Sequence, residues 1–155
     1  MKKPRYFLWI AAVESVGFLS GILSREGTAF YESNVLKPPL TPPGILFPVV
    51  WAVLYALMGI SAARVAASGE GQARSRGLNL FVIQLVFNFF WSLIFFIIRN
   101  YGFSLLWLLG MWGLIIAMIL QFRKVDKPAA LLQIPYQLWV TFAAYLNFGV
   151  WRLNR

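Results

Sequence analysis

Trp51, Trp91 and Trp139 are the side chains of this sequence best suited to chemistry, and that chemistry is recognition by flat aromatic surfaces. Offset stacking contributes ~0.5–1.5 kcal/mol per ring pair beyond burial, and each indole adds one N–H donor. Little else is reactive. The chain has no His and no Cys, which excludes Cys/His zinc sites, iron–sulfur clusters, disulfides, His- or thiolate-ligated haem and every His or Cys nucleophile. The five acids, Glu14, Glu26, Glu32, Glu70 and Asp126, include no pair at i, i+3 or i, i+4, so neither a paired-carboxylate site nor a metal site is expected, and no cofactor is implied. Of the seven tryptophans, Trp9, Trp151 and Trp107 fit an interfacial belt and Trp112 fits a lipid-facing position.

The elements that must position the indoles are membrane helices. The chain is 60% hydrophobic and 12% charged, against ~25% charge in a soluble domain. Charges divide it into five apolar segments, each able to supply the ~20 residues that a spanning helix needs. Helices are expected near 6–24, 44–64, 78–98, 103–122 and 129–150, with a proline-rich loop over 25–43 and a polar loop over 65–77. The fold class is all-α, an integral membrane bundle of five transmembrane helices, in one domain over residues 1–155. The net charge of +9 is read as topology signals and anchors to anionic lipid rather than as nucleic-acid binding. Lys2, Lys3, Arg5, Arg64, Arg74, Arg76, Arg123, Lys124 and Lys127 share the N-terminal side; Arg25, Lys37, Arg99, Arg152 and Arg155 share the other. The excess puts the N-terminus in the cytoplasm, and the expected location is a bacterial cell membrane.

Depth then separates the three indoles from the belt. At ~1.5 Å rise per residue, Trp51, Trp91 and Trp139 lie roughly 10–16 Å below the face that carries the proline-rich loop. Helical spacing extends each along one face: Tyr55 at i+4 from Trp51, Asn88 at i−3 and Phe95 at i+4 from Trp91, Ala143 at i+4 and Asn147 at i+8 from Trp139. Two readings share this pattern: a packed aromatic core, or an aromatic-walled cavity for a flat apolar ligand. Four prolines in six residues, Pro38, Pro39, Pro42 and Pro43, make the loop stiff enough to act as a lid. Thr41 is placed to cap the second helix, with Pro42 at its first position.

Lys37-Pro-Pro-Leu-Thr-Pro-Pro-Gly44 followed by Phe47-Pro48-Val-Val-Trp51-Ala-Val-Leu-Tyr55-Ala-Leu-Met-Gly59 resembles the signature of the TspO/MBR family, the tryptophan-rich sensory and translocator proteins once called peripheral benzodiazepine receptors. Asn88-Phe-Phe-Trp91-Ser92-Leu-Ile-Phe95-Phe96 resembles its third-helix motif. Pro135-Tyr136-Gln-Leu-Trp139 through Ala143 and Asn147 to Trp151-Arg152-Leu-Asn154 resembles its fifth. The resemblance runs from about residue 8 to 154. It implies a cavity closed by the first loop that binds porphyrins, sterol-like lipids and isoquinoline carboxamides. Carried over position by position, the ligand-binding residues are Tyr31, Trp51, Tyr55, Asn88, Trp91, Ser92, Phe95, Trp139, Ala143 and Asn147.

The function so implied is a membrane receptor or sensor for porphyrins, chiefly protoporphyrin IX, regulating tetrapyrrole metabolism, with Arg25 or Lys37 pairing with propionates. One alternative is a light- and oxygen-dependent enzyme degrading protoporphyrin IX, whose catalytic residues are Trp51 and Trp139 as stacking or redox partners of the excited macrocycle. The other is a porphyrin or lipid transporter, for which five helices without an inverted repeat give little support. Partners are thus a porphyrin or other apolar small molecule, membrane lipid and, from the resemblance, a second copy in a homodimer. Gly17-x-x-x-Gly21 suits either an intramolecular contact or that dimer seam. Glu14 is expected to face protein or be protonated, because an acid in mid-membrane costs ~2.5–3.5 kcal/mol on insertion scales; a hydrogen bond to a polar residue such as Asn88 or Gln84, proton coupling and a ligand contact are the readings open to it. Pro135 is expected to kink the fifth helix. A sterol motif is not completed: Val140 and Tyr145 fit, but Arg152 is one residue too far.

Overall fold

The computed structural model describes residues 2–155, which fold into seven α-helices: α1 Tyr6–Leu23, α2 Arg25–Asn34, α3 Leu46–Ala67, α4 Gln72–Ser92, α5 Tyr101–Val125, α6 Lys127–Leu132 and α7 Ile134–Leu153. A π-helical segment, Leu93–Ile98, continues α4. No strand occurs among the described residues. Four segments are long and apolar enough to cross a membrane: Tyr6–Leu23, Leu46–Ala67, Gln72–Ile98 and Tyr101–Val125. The 20-residue α7 has the length, but Gln137, Thr141, Asn147 and Arg152 leave it less apolar than those four.

The surface is inverted relative to a soluble domain. Phe7 (82% exposed), Phe18, Leu106 and Leu138 point outward, while Ser61, Gln84, Asn88, Ser104, Gln133 and Asn147 are buried. In hydrocarbon a polar side chain finds partners only inside the bundle; Gln133 is the exception among these six, its amide meeting no partner among the described residues. Helix α1 packs chiefly on α3, and α4 and α7 both pack on α5. By contrast, α3 and α7 touch at few points. The α1–α3 contact is set by two glycines. A Cβ on Gly17 would lie 2.1 Å from the Tyr55 ring, and one on Gly59 would lie 2.6 Å from the Ile10 backbone. Gly17 is therefore an intramolecular contact, whereas Gly21 has open space beside it.

Several boundaries differ from the sequence reading. The 25–43 segment is not all loop, since Arg25–Asn34 is helical. Its prolines begin only at Pro38, and Gly27 and Tyr31, one turn apart, give the preceding residues one buried face. Thr41 does not cap the next helix, which starts at Leu46 with no side-chain cap. Its hydroxyl donates instead to the Pro38 carbonyl at 2.7 Å, closing a turn in which Leu40 adopts φ +70°. The polar loop shrinks from 65–77 to 68–71, where Gly69 and Gly71 take positive φ. Arg74 reaches back to the Ala66 carbonyl at 2.8 Å, so residues that read as solvated lengthen both helices. The fifth predicted helix is divided at Gln133, two residues before Pro135, where the missing proline N–H makes a break cheap.

Candidate binding site

The predicted site residues fall into two aromatic groups joined at Trp91. The first lies in the middle of the bundle. Trp51 stacks on Tyr55, centroids 5.4 Å apart, as their i, i+4 spacing on α3 requires. The Tyr55 hydroxyl donates to Asn88 Oδ1 at 2.8 Å, and Asn88 Nδ2 donates to the Tyr136 hydroxyl at 2.9 Å. Tyr136 in turn donates to Gln84 Oε1 at 2.6 Å, and Gln84 Nε2 donates to the Phe81 carbonyl. This chain of neutral groups links α3, α4 and α7, and each member is buried. Its satisfaction is what permits it, because an unmade bond here would leave a bare polar atom in an apolar interior.

The second group lies under the first loop. Tyr31 on α2 meets Phe95 at 5.6 Å and Phe96 at 5.5 Å between ring centroids. Phe95 also stacks on Trp91 at 5.2 Å. Adjacent Phe95 and Phe96, both in the π-helical segment, thus both meet Tyr31. Trp91 Nε1 and the Ser104 hydroxyl both donate to Asn147 Oδ1 at 3.1 Å, and Asn147 Nδ2 donates to the Tyr101 carbonyl. Ser92 bonds Ser24 at 2.9 Å, joining α4 to the α1–α2 corner. A Cβ on Gly27 would lie 2.3 Å from the Phe96 carbonyl oxygen, so α2 rests directly on the π-helical segment. Burial, then the neighbouring Glu32 carboxylate and Tyr101, push the Tyr31 phenol up to about 12.

Trp139 and Ala143 sit on the α7 side. Trp139 packs edge-on to Phe47 at 5.9 Å, and Tyr136 packs edge-on to Trp51 at 6.2 Å. The loosely apposed α3 and α7 are thus bridged by aromatic rings rather than by close backbone contact. Buried Ala143 adds no bulk to this seam. Open concavities of about 610 and 400 Å³ lie elsewhere, at the two ends of the bundle.

The loop is tied down from α7. The Asn154 side chain accepts from the Leu36 N–H at 3.0 Å and donates to the Leu36 carbonyl at 2.8 Å. The Tyr145 hydroxyl donates to the Pro39 carbonyl at 2.7 Å, and Pro38 packs where a Cβ of Gly149 would stand. Lys37, which with Arg25 is a candidate partner for ligand propionates, donates to the Glu32 and Val35 carbonyls and lies 4.9 Å above the Tyr31 ring.

Tyr136 and Gln84 were not among the predicted site residues, yet spacing could have found them. Tyr136 precedes Trp139 at i−3 and Gln84 precedes Asn88 at i−4, on the same helical faces. Asn88 and Gln84 are occupied by tyrosines, so they are not the partners expected for half-buried Glu14. Trp107, read as an interfacial residue, stacks on Phe87 at 4.3 Å and donates to the Phe87 carbonyl, fastening α5 to α4. Trp112 donates to Thr141 on α7.

The family model described as TspO/MBR matches residues 9–152. The tryptophan-rich protein TspO of Chlorobaculum tepidum is 37% identical over 148 residues, covering 95% of this chain and 94% of that protein. Protein CrtK of Rhodobacter capsulatus is 42% identical over 155 residues, covering 99% and 95%. The translocator protein of Bos taurus is 34% identical over 142 residues, covering 90% and 83%.

Proposed function

This chain belongs to the TspO/MBR family, and from that premise we propose that it is a membrane receptor that senses porphyrins, with protoporphyrin IX as the reference ligand. In this reading α7 is the fifth spanning helix, the N-terminus is cytoplasmic and the membrane is a bacterial cell membrane. The observation that carries the ligand class is the α3–α7 seam. Two helices with few close contacts are bridged by Phe47–Trp139 and Trp51–Tyr136 ring pairs. A flat macrocycle entering this seam replaces ring–ring contacts with ring–ligand contacts of the same kind, so the exchange costs little. The Tyr55–Asn88–Tyr136 chain holds α4 fixed behind it. Tyr31, Trp91, Ser92, Phe95, Ala143 and Asn147 complete the wall under the loop.

The test is a dark titration of the detergent-purified protein with protoporphyrin IX, read by tryptophan emission. Saturable quenching, weakened in Trp51→Phe, is expected; unchanged emission at saturating porphyrin would sink the reading. Illumination of the same samples addresses the degradative alternative. New absorption bands formed by the wild type but not by Trp139→Phe would convert the receptor into an enzyme using that indole.

A further inference from the structure

We propose that the N-terminal end of the bundle carries a separate site for a phosphate-bearing anion, built to take the headgroup of an acidic phospholipid. The concavity of about 610 Å³ there is lined by Lys2, Lys3, Arg5 and Trp9 and floored by Ala66 and Ala67 at the end of α3. It contains three cations and no acid. Among the described residues, none of the three cationic side chains makes a hydrogen bond or an ion pair within the protein (the ion pair at this end joins Arg64 to Asp126).

Capping of α3 does not account for these cations. The Ala67 carbonyl already accepts from the Lys2 backbone N–H at 2.8 Å, and the Ala66 carbonyl already accepts from Arg74. The same Lys2 bond folds the N-terminal segment back onto α3, so the charges are presented by a fixed backbone rather than by a free tail. Charge-assisted bonds from ammonium and guanidinium groups are the strongest that a phosphate accepts.

The apolar part of the concavity argues for a lipid over a free ion. Trp9 packs edge-on against Phe81 and lines the cavity, one turn inside α1, where interfacial indoles meet headgroups. Phe7 and Leu8 point outward beside it, 82% and 58% exposed, along the path an acyl chain would take. A free phosphate would use the cations and leave this apolar rim without a role.

Binding to the protein in detergent can be counted by native mass spectrometry. The probes are phosphatidylglycerol, phosphatidylcholine and inorganic phosphate. Wild-type protein should retain one phosphatidylglycerol per chain more tightly than phosphatidylcholine. Lys2→Gln/Lys3→Gln/Arg5→Gln should weaken that lipid about a hundredfold, since each of the three cations near an anionic surface contributes about fivefold. Arg123→Gln/Lys124→Gln/Lys127→Gln removes equal charge expected at the same end but outside the concavity, and should leave the tight lipid in place. Trp9→Phe, which keeps every charge, should weaken phosphatidylglycerol without touching any response to inorganic phosphate. Equal retention of the two lipids, or equal loss in both triple variants, would overturn the site. Competition by millimolar inorganic phosphate with no effect of Trp9→Phe would overturn the lipid assignment and leave a plain phosphate site.

Discussion

The two ends of the bundle are fastened by different chemistry. At the N-terminal end the junctions are ionic or buried. Arg64 grips Asp126 through Nε at 2.7 Å and Nη2 at 3.2 Å. Asp126 also caps α6 through the Ala129 N–H, and Ser61 donates to the Ala129 carbonyl. At the loop end the ties from α7 to the proline loop are neutral and face outward: the Asn154 clasp on Leu36 and the Tyr145 bond to Pro39. Water competes for exposed neutral bonds, so each contributes only ~0.5–1.5 kcal/mol. The ionic junction thus lies at one end and the exposed neutral ties at the other, and the aromatic seam reaches toward the second.

The sharpest way to break this contrast is to damage the chain of bonds between the ends. Asn88→Ala strands the buried Tyr55 hydroxyl and should cost about 2–3 kcal/mol, read as a lower unfolding temperature in detergent. An unchanged temperature would show that the buried chain is not what fixes α4 behind the seam. Asp126→Ala removes both the bridge and the α6 cap. The bridge is partly exposed, so the loss should be about 1–2 kcal/mol, with porphyrin exchange rates unaltered. Asn154→Ala should reverse that pattern: a loss of about 1 kcal/mol, with porphyrin association and dissociation both several-fold faster by stopped-flow quenching. If Asp126→Ala speeds exchange and Asn154→Ala does not, the assignment of the two ends is wrong.

The smallest effect concerns Tyr31 under the loop. Burial, then the neighbouring Glu32 carboxylate and Tyr101, push its phenol up to about 12 from the ordinary ~10. A raised pKa means that the neutral form is the one favoured by folding. Its contribution is full below pH ~10 and is lost as pH rises through about 12. Tyr31→Phe should remove one phenolate step near that pH from an absorbance titration. The wild-type step should move toward ~10 in Asn154→Ala, because a looser loop admits water.

Much of this was legible along the chain because the membrane imposes simple local rules. Apolar runs of about 20 residues, separated by charge, announced four of the spans, and i, i+4 spacing placed Trp51 with Tyr55. The same rules failed where the chain is neither apolar nor broken by proline. Arg25–Asn34 looked like loop because it is polar, and it is helical because Gly27 and Tyr31 find the π-helical segment of α4 to pack against. Thr41 had the right type for a cap and was diverted into a turn by Pro38.

The sequence by itself determined the all-helical membrane class and four apolar segments long enough to span, since these follow from composition and from a 1.5 Å rise. Tertiary structure alone decided which partners the indoles meet. It put Tyr136 between Asn88 and Gln84, and it brought Asn154 across 118 positions of sequence to hold Leu36. It also left α3 and α7 bridged by rings instead of packed backbones. The reason is physical: helix formation and membrane insertion depend on neighbours within one or two turns. The pairing of helices depends on where small residues such as Gly17 and Gly59 let backbones approach, and on which buried polar groups must satisfy one another.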